Sequence, residues 1–178
     1  MKVILLVVEN REMILTEYAR FLFGLAWNRK VESAIFYRGQ RKPIWFMRRA
    51  LIQRALKTDC THILFVDTDV IPEDDFIDKL SAHNKDIVSG VYYGLNQDPC
   101  SRKDGEVFKG EGLCEVDTFA MGLSLLSRKV CEEIIYPEPL PSNKIDADVE
   151  FCKLAKEKGY QIYQDFTIRG THLLLGAF

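Results

Sequence analysis

The chain has 178 residues, 47% of them hydrophobic, and its 24 Lys and Arg against 26 Asp and Glu leave a formal charge of −2. This length is enough to bury one substantial core, so we expect a single domain. The nearly balanced charge provides no basic field for non-specific nucleic-acid binding, and no nucleic-acid partner is expected.

The longest early apolar run, Val3 to Val8, follows one lysine and ends at Glu9. It is far too short for a transmembrane helix and lacks the layout of a cleavable signal, so we expect a soluble, cytoplasmic protein. The five cysteines are widely spaced and form no CxxC pair. This spacing indicates mostly reduced thiols, several of them buried, rather than a zinc knuckle or a full disulfide framework.

The first half of the chain alternates strand and helix patterns. Val3 to Val8 and Val31 to Tyr37 are strand-like and enclose a helical pattern from Met13 to Trp27. This β-α-β unit implies a parallel pair of strands. A second amphipathic helix, after Pro43, leads to the apolar strand Ile63 to Val66.

The second half is more irregular. Pro72 and the three acidic residues after it predict a helix start, and Asp86 to Tyr93 predicts a strand. Leu95 to Gly112 is polar and contains glycines, which predicts a loop or a weak hairpin. An apolar stretch, Glu115 to Ser127, precedes a short predicted helix at Arg128 to Ile135.

The last part begins with a proline-rich turn, Pro137 to Pro141. A helix is predicted from Ala147 to Lys158, where Gly159 ends it, and Tyr160 to Ile168 has a strand pattern. Together these elements predict an α/β fold with an open mixed sheet, mostly parallel and flanked by helices. Ligands bind such sheets at the carboxyl ends of the strands.

Asp67 and Asp69 directly follow the apolar strand Ile63 to Val66. Residues two apart in an extended strand project to the same side, so the two carboxylates are expected to share one small volume while Thr68 points away. Two such carboxylates repel each other unless a cation lies between them, and their hard oxygens suit Mg²⁺ or Mn²⁺. The pair also fits a turn or a helix cap.

The segment THILFVDTDVIP, from Thr61 to Pro72, resembles the Asp-x-Asp strand of GT-A glycosyltransferases. Further segments resemble motifs of this family in the same order: Arg48 to Leu51 its Arg-Asn helix, Asp86 to Tyr93 its next strand, Val116 to Gly122 with Leu125 to Arg128 its acceptor-side segment, and Asp146 to Cys152 with Gly159 its Glu-Asp-x-x-Phe-Cys segment. The ordered series is much more specific than any single member.

This resemblance implies one GT-A-like, Rossmann-like domain over residues 1–178. Residues 1–93 would form the half that binds the nucleotide sugar, residues 113–178 the acceptor and catalytic half, and residues 94–112 a flexible loop. The implied activity is metal-dependent transfer of a sugar from a nucleoside-diphosphate sugar to a hydroxyl of a carbohydrate, protein or lipid acceptor. Mn²⁺ or Mg²⁺ is the implied cofactor.

The resemblance also implies roles for individual residues. Asp148 matches the family's base, which would take the acceptor proton in an inverting reaction. His172 lies where some members place a further metal ligand, beside Asp67 and Asp69. Arg48 is expected to face the diphosphate. The implied nucleotide-sugar contacts are Arg48, Asp67, Thr68, Asp69, Asp117 and Gly122.

Two positions depart from the family pattern: Ala147 replaces the glutamate before the base, and Arg49 replaces the asparagine. Local explanations also stay open at the matched positions. Asp148 falls in the first turn of a predicted helix, where the dipole favours acidic residues regardless of function. His172 is equally consistent with a packed histidine, and Arg48 with a solvated helix arginine.

Three other functions fit parts of the pattern. A haloacid-dehalogenase-type phosphatase also uses Asp-x-Asp, but here Val70 to Pro72 replaces the Gly-Thr or Thr-hydrophobic continuation of that motif. A sugar-nucleotide pyrophosphorylase requires a glycine-rich, basic phosphate loop, and Glu9 to Glu12 is not one. A non-catalytic sugar-binding remnant of the fold is favoured only by Ala147.

Overall fold

The structure is a computed structural model that describes residues 1–9, 16–27, 31–38, 43–94, 98–134 and 146–173. Within these ranges the elements in chain order are β1 (Val3–Glu9), α1 (Thr16–Trp27), β2 (Ser33–Arg38), α2 (Ile44–Ala55), β3 (His62–Val66), β4 (Val70–Pro72), α3 (Phe76–Ala82), β5 (Ile87–Val91), β6 (Ser101–Lys103), β7 (Glu106–Val107), β8 (Leu113–Glu115), β9 (Thr118–Phe119), β10 (Leu123–Ser127), α4 (Arg128–Glu133), α5 (Ala147–Glu157) and β11 (Tyr163–His172). In this part of the chain, every helix falls short of the length and apolar character that crossing a membrane requires.

Eight strands form one open, mixed sheet, with the order β2-β1-β3-β10-β5-β11-β4 and with β8 paired to β11. β1 is parallel to β2 and β3, and β5 is parallel to β11. β10 is antiparallel to β3 and β5, and β11 is antiparallel to β4 and β8. The predicted open α/β sheet is confirmed, but it is less parallel than expected. A parallel neighbour requires a crossover connection, and the described residues between β5 and β10 contain no helix.

Two apolar layers cover the faces of this sheet. Alternate residues of β1 point into different layers, with Ile4, Leu6 and Val8 in one and Val3, Leu5 and Val7 in the other. The first layer is completed by α2, α4 and α5, and the second by α1 and α3. Burial on both faces explains why β1 is a continuous apolar run in the sequence.

A small antiparallel sheet, β7-β6-β9, lies beside the main one. Its strands β6 and β7 form the weak hairpin that was one of the two alternatives predicted for Leu95 to Gly112, and residues 95–97 lie outside the described part. The turn between these strands uses two positive-φ residues, Asp104 (φ 53°) and Gly105 (φ 82°), which suit a tight hairpin. Asp117 accepts a hydrogen bond from the Asp104 amide at 2.6 Å and pairs with Lys156 of α5, so the hairpin is fastened to that helix.

The boundaries of several predicted elements shift. Pro72 ends the edge strand β4, and α3 begins only at Phe76. The helix predicted from Ala147 is confirmed, and Gly159 follows it with a φ of 84°. The start of the helix predicted from Met13 and the turn at Pro137 to Pro141 lie outside the described residues. All five cysteines are free thiols, and three are buried: Cys60, Cys131 and Cys152.

The buried carboxylate of Asp165 joins α3 to β11. It accepts hydrogen bonds from the Thr167 amide at 2.8 Å and hydroxyl at 2.6 Å, and its other oxygen lies 2.7 Å from His83 Nε2. Burial alone would raise the pKa of Asp165, but the hydrogen bonds from Thr167 and His83 lower it below its ordinary value. The folded state therefore prefers the ionised form.

We expect Asp165→Ala to lower the free energy of unfolding by about 2 kcal/mol at pH 7, because the Thr167 amide, the Thr167 hydroxyl and the His83 ring all lose their acceptor. A lowered pKa stabilises the fold above the ordinary carboxyl pKa, so the loss should shrink as the pH falls below about 4. Urea denaturation at several pH values measures both effects. Glu157→Ala, which removes an exposed ion pair with Lys153, is the control and should cost under about 0.5 kcal/mol. Equal losses of unfolding free energy in the two variants would contradict the stabilising role of Asp165.

Candidate functional site

Asp67 and Asp69 lie in the turn between β3 and β4, at the carboxyl end of a central strand. The strand geometry ends at Val66, and the Val70 amide bonds back to the Asp67 carbonyl at 3.0 Å. The expected strand alternation is therefore wrong here, because the chain turns where the two carboxylates stand. The Asp67 amide donates to the Gly122 carbonyl at 2.9 Å, which holds the turn against the start of β10.

Arg48 lies under this turn and is only 2% exposed. Its Nη2 is 3.5 Å from Asp67 Oδ2, and its Nη1 forms a close ion pair with Asp148 Oδ1. Its Nε finds no partner in the described part of the chain. One buried guanidinium thus joins two of the predicted site carboxylates, and sequence reasoning did not predict this contact.

Asp148 lies in the first turn of α5, where the side chain of Asp146 caps its amide at 3.0 Å. Its Oδ2 accepts the Met121 amide at 2.8 Å, and the side chain stays 16% exposed. Asp148 was interpreted from the sequence either as the family's base or as an acidic residue favoured by the helix dipole. The two interpretations are compatible, because its side chain lies at the helix start and also contacts Arg48 and the Met121 amide. Ala147 is buried at the position where the family resemblance has glutamate.

Gly122 makes room for the Asp67 carboxylate. A Cβ at this position would lie 2.3 Å from Asp67 Oδ2 and 2.6 Å from Tyr92 Oη. Tyr92 is 6% exposed, and its burial, followed by the charge of Asp67, raises its pKa well above the ordinary value. Sequence reasoning did not assign this hydroxyl to the site, because an aromatic residue in a strand has the same pattern as a core residue.

The pKa of Asp67 depends on its burial and on its charged neighbours. Burial raises this pKa above its ordinary value, the guanidinium of Arg48 opposes that shift, and the charge of Asp69 adds to it. The buried Arg48 guanidinium contacts both Asp67 and Asp148. A cation between the carboxylates of Asp67 and Asp69 would reduce the repulsion between them.

His172 ends β11 beside Asp69. Its Nδ1 lies 3.0 Å from the Tyr93 carbonyl, which can only accept, so Nδ1 carries the proton. Its Nε2 lies 3.8 Å from Asp69 Oδ2. The ring also packs edge-on against Tyr92, with centroids 5.3 Å apart. Fixing Nδ1 in this way is how proteins orient a histidine that binds a metal through Nε2.

The donor atoms of Asp67, Asp69 and His172 are two carboxylates and one imidazole nitrogen, a set that fits Mn²⁺ and, with the carboxylates alone, Mg²⁺. Among the described residues, no three His, Cys, Asp or Glu side chains already stand at metal-binding separation. The types of ligand therefore fit a divalent ion, although the described side chains do not stand close enough together to surround one.

Asp117 and Thr68 are the two remaining residues that were predicted to contact the nucleotide sugar. Asp117 is engaged by Lys156, whose hydrogen bond lowers the Asp117 pKa, and by the Asp104 amide. Its contact with a nucleotide sugar stays a prediction. Thr68 is half-buried within the acidic turn, and its predicted contact with the donor also stays a prediction.

A cleft of about 340 Å³ opens beside Asp148, between the small sheet and the first turn of α5. Its walls carry the carboxylates of Asp98, Asp146 and Asp148 and the exposed aliphatic side chains of Val107 and Val149. Its volume lies at the lower end of the range of about 300–1,000 Å³ for small-molecule sites.

No protein-family model matches the chain, and no curated protein matches it at a significant level. Among solved structures it is similar to A197 from STIV, with 21% identity, a TM-score of 0.76, and coverage of 98% of this chain and 87% of the other. It is also similar to residues 1–349 of S. aureus TarS, with 14% identity, a TM-score of 0.58, and coverage of 99% and 59%.

Two further structural neighbours were solved with a nucleotide sugar or with a nucleotide and a sugar. UDP-glucose pyrophosphorylase complexed with UDP-glucose has 10% identity, a TM-score of 0.59, and coverage of 96% and 92%. GalNAc-T7 with UDP, GalNAc and Mn²⁺ has 9% identity, a TM-score of 0.53, and coverage of 96% of this chain and 43% of the other. At such identities these likenesses show the fold alone, which is that of GT-A-like nucleotide-sugar transferases.

We expect Gly122→Ala to lower the free energy of unfolding by about 1–3 kcal/mol, because the added methyl group must displace the Asp67 carboxylate or the Tyr92 hydroxyl. The matched control is Gly24→Ala on α1, where an added Cβ meets nothing within 4 Å. In a helix this change should stabilise by about 0.5–1 kcal/mol. Chemical denaturation measures both, and tolerance of alanine at position 122 would contradict the tight contact.

Proposed function

We propose that this protein is a glycosyltransferase that moves a sugar from a nucleoside-diphosphate sugar to an acceptor hydroxyl. The observation that carries the proposal is the link through Arg48, which joins the acidic turn at the end of β3 to Asp148 at the mouth of a cleft. Open α/β sheets bind ligands at that end of their strands. The shared fold of nucleotide-sugar enzymes supports the same substrate class.

On the donor side, Asp67, Asp69 and His172 would hold Mn²⁺ or Mg²⁺. When bound, such an ion neutralises the negative charge that develops on the departing diphosphate. Gly122 contributes by having no side chain, since this lets the Asp67 carboxylate stand against the start of β10. Thr68 and Asp117 complete the proposed donor contacts.

On the acceptor side, the cleft beside Asp148 would hold the acceptor. Asp148 takes the hydroxyl proton as the acceptor oxygen bonds to the anomeric carbon and the bond from that carbon to the diphosphate breaks. Attack from the face opposite the leaving group inverts the anomeric centre in one step. The Met121 amide and Arg48 hold the Asp148 carboxylate in one orientation for this transfer.

A second candidate function is sugar-nucleotide pyrophosphorylase activity. It is favoured by the likeness to UDP-glucose pyrophosphorylase, which covers 92% of that chain. In that reaction a sugar phosphate attacks the α-phosphate of a nucleoside triphosphate and pyrophosphate leaves, so no base for an acceptor hydroxyl is needed. Asp148 would then be dispensable, which separates the two functions by experiment.

We expect Mn²⁺ together with a matching UDP- or GDP-sugar to raise the melting temperature by about 5 to 10 °C at 100 times the dissociation constant. Asp69→Ala should abolish this shift, because it removes a carboxylate ligand. Asp59→Ala, which changes an exposed aspartate paired with Lys2, is the matched control and should keep it. A screen across common sugar nucleotides that gives no shift in the unaltered protein would argue strongly against a transferase.

For Asp148→Asn we expect the donor-induced shift to survive while transfer falls by about 10²- to 10⁴-fold, because the amide cannot accept the acceptor proton. Release of UDP or GDP measures the transfer. Retained turnover would remove Asp148 from the mechanism. Retained formation of sugar nucleotide from triphosphate and sugar phosphate would favour the pyrophosphorylase, and binding without any turnover would indicate a non-catalytic protein.

A further inference from the structure

Arg48 has contacts that differ from those of an arginine facing a diphosphate. We infer that Arg48 is a positioning residue, which fixes the base Asp148 against the acidic turn at Asp67 and does not itself contact the donor. The inference rests on the proposed transferase function and assigns the residue that links its donor and acceptor sides.

The first argument is burial. Arg48 stands on the inner face of α2 with neighbours such as Met47 and Leu51, and it is 2% exposed. Its guanidinium carbon lies 6.0 Å from the centre of the Phe65 ring. A diphosphate that arrives from solvent has almost no arginine surface to contact, whereas the Asp67 and Asp148 carboxylates already occupy both terminal nitrogens.

The second argument is the way Asp148 is held. Arg48 Nη1 pairs with Oδ1, and the Met121 amide donates to Oδ2 at 2.8 Å. Two donors on two different oxygens fix the plane of a carboxylate, while each oxygen keeps a second lone pair. The side chain remains 16% exposed and lines the cleft, so the base is fixed and still accessible.

The third argument is that two links run in parallel between the donor and acceptor sides. One is the Arg48 side chain, which spans Asp67 and Asp148. The other is the backbone at the start of β10, where the Met121 amide holds Asp148 and the Gly122 carbonyl holds the Asp67 amide. A planar, forked guanidinium can serve two carboxylates at once, and a lysine ammonium serves them poorly.

A positioning residue changes kcat more than the donor KM, because binding survives when the base is misplaced. We expect Arg48→Gln to lower kcat by about 100-fold, the order that a misplacement of about 1 Å costs. The donor KM should stay within about threefold, because Arg48 touches the donor side only through the longer contact with Asp67, at 3.5 Å, and Asp69 and His172 remain in place. An arginine on the diphosphate gives the opposite result, a raised donor KM, and that outcome would overturn the inference.

The Asp148→Asn variant shows whether Arg48 acts through Asp148 or independently of it. If Arg48 acts through Asp148, adding Arg48→Gln to Asp148→Asn should change kcat by less than about twofold, whereas independent roles would multiply. Arg48→Lys should stay within about threefold of Arg48→Gln, since it restores the charge without the fork. Full recovery with lysine, or multiplicative losses in the double variant, would refute the positioning role.

Stability measurements keep the test independent of turnover. In urea, without metal or donor, Arg48→Gln and Asp148→Asn should together lower the midpoint by less than the sum of their separate effects, because they break the same pair. Arg54→Gln, an exposed arginine on the same helix, is the control and should be additive. If Arg48→Gln does not fold, Arg48→Lys replaces it in the cycle. If the losses of stability in the Arg48 and Asp148 variants are additive, the pair does not link the two sides and the inference is wrong. If the losses are coupled but the protein transfers no sugar, the pair is confirmed and only the proposed function is refuted.

Discussion

The buried guanidinium of Arg48 is the interaction on which the proposed site depends. It lies between Asp67 at the end of β3 and Asp148 at the start of α5, and it reaches both from the inner face of α2. Burying one cation with two carboxylates is costly unless their geometry is maintained, and removing one partner leaves a charge uncompensated. The site is therefore defined by three elements that are far apart in sequence and share one contact.

The sheet topology makes this contact possible. β10 runs antiparallel between β3 and β5, so its first residues lie beside the end of β3. This puts the Gly122 carbonyl on the Asp67 amide and the Met121 amide on Asp148. The small sheet β7-β6-β9 then forms one wall of the cleft, and the pairing of Asp117 with Lys156 holds that wall against α5. The antiparallel strand and the hairpin are thus part of the site.

The sequence predicted local features well and contacts between distant residues poorly. Continuous apolar runs identified β1 and β3, and the pattern ended by Gly159 identified α5, because burial and helix termination leave local signals. The family resemblance selected Asp67 and Asp148 separately. Their link through Arg48 was missed, because an arginine on an amphipathic helix has the same pattern whether it is buried or solvated. The reversed β10 was missed because apolar periodicity carries no direction.

The anomeric form of the first product tests the central claim most directly. If Asp148 acts as a base in a single displacement, water can replace the acceptor slowly, and the sugar released from an α-linked UDP- or GDP-sugar should appear first as the β-anomer. Proton NMR can follow this before the two anomers equilibrate. Early release of the α-anomer would show retention and contradict the role assigned to Asp148, and with it the arrangement proposed around Arg48.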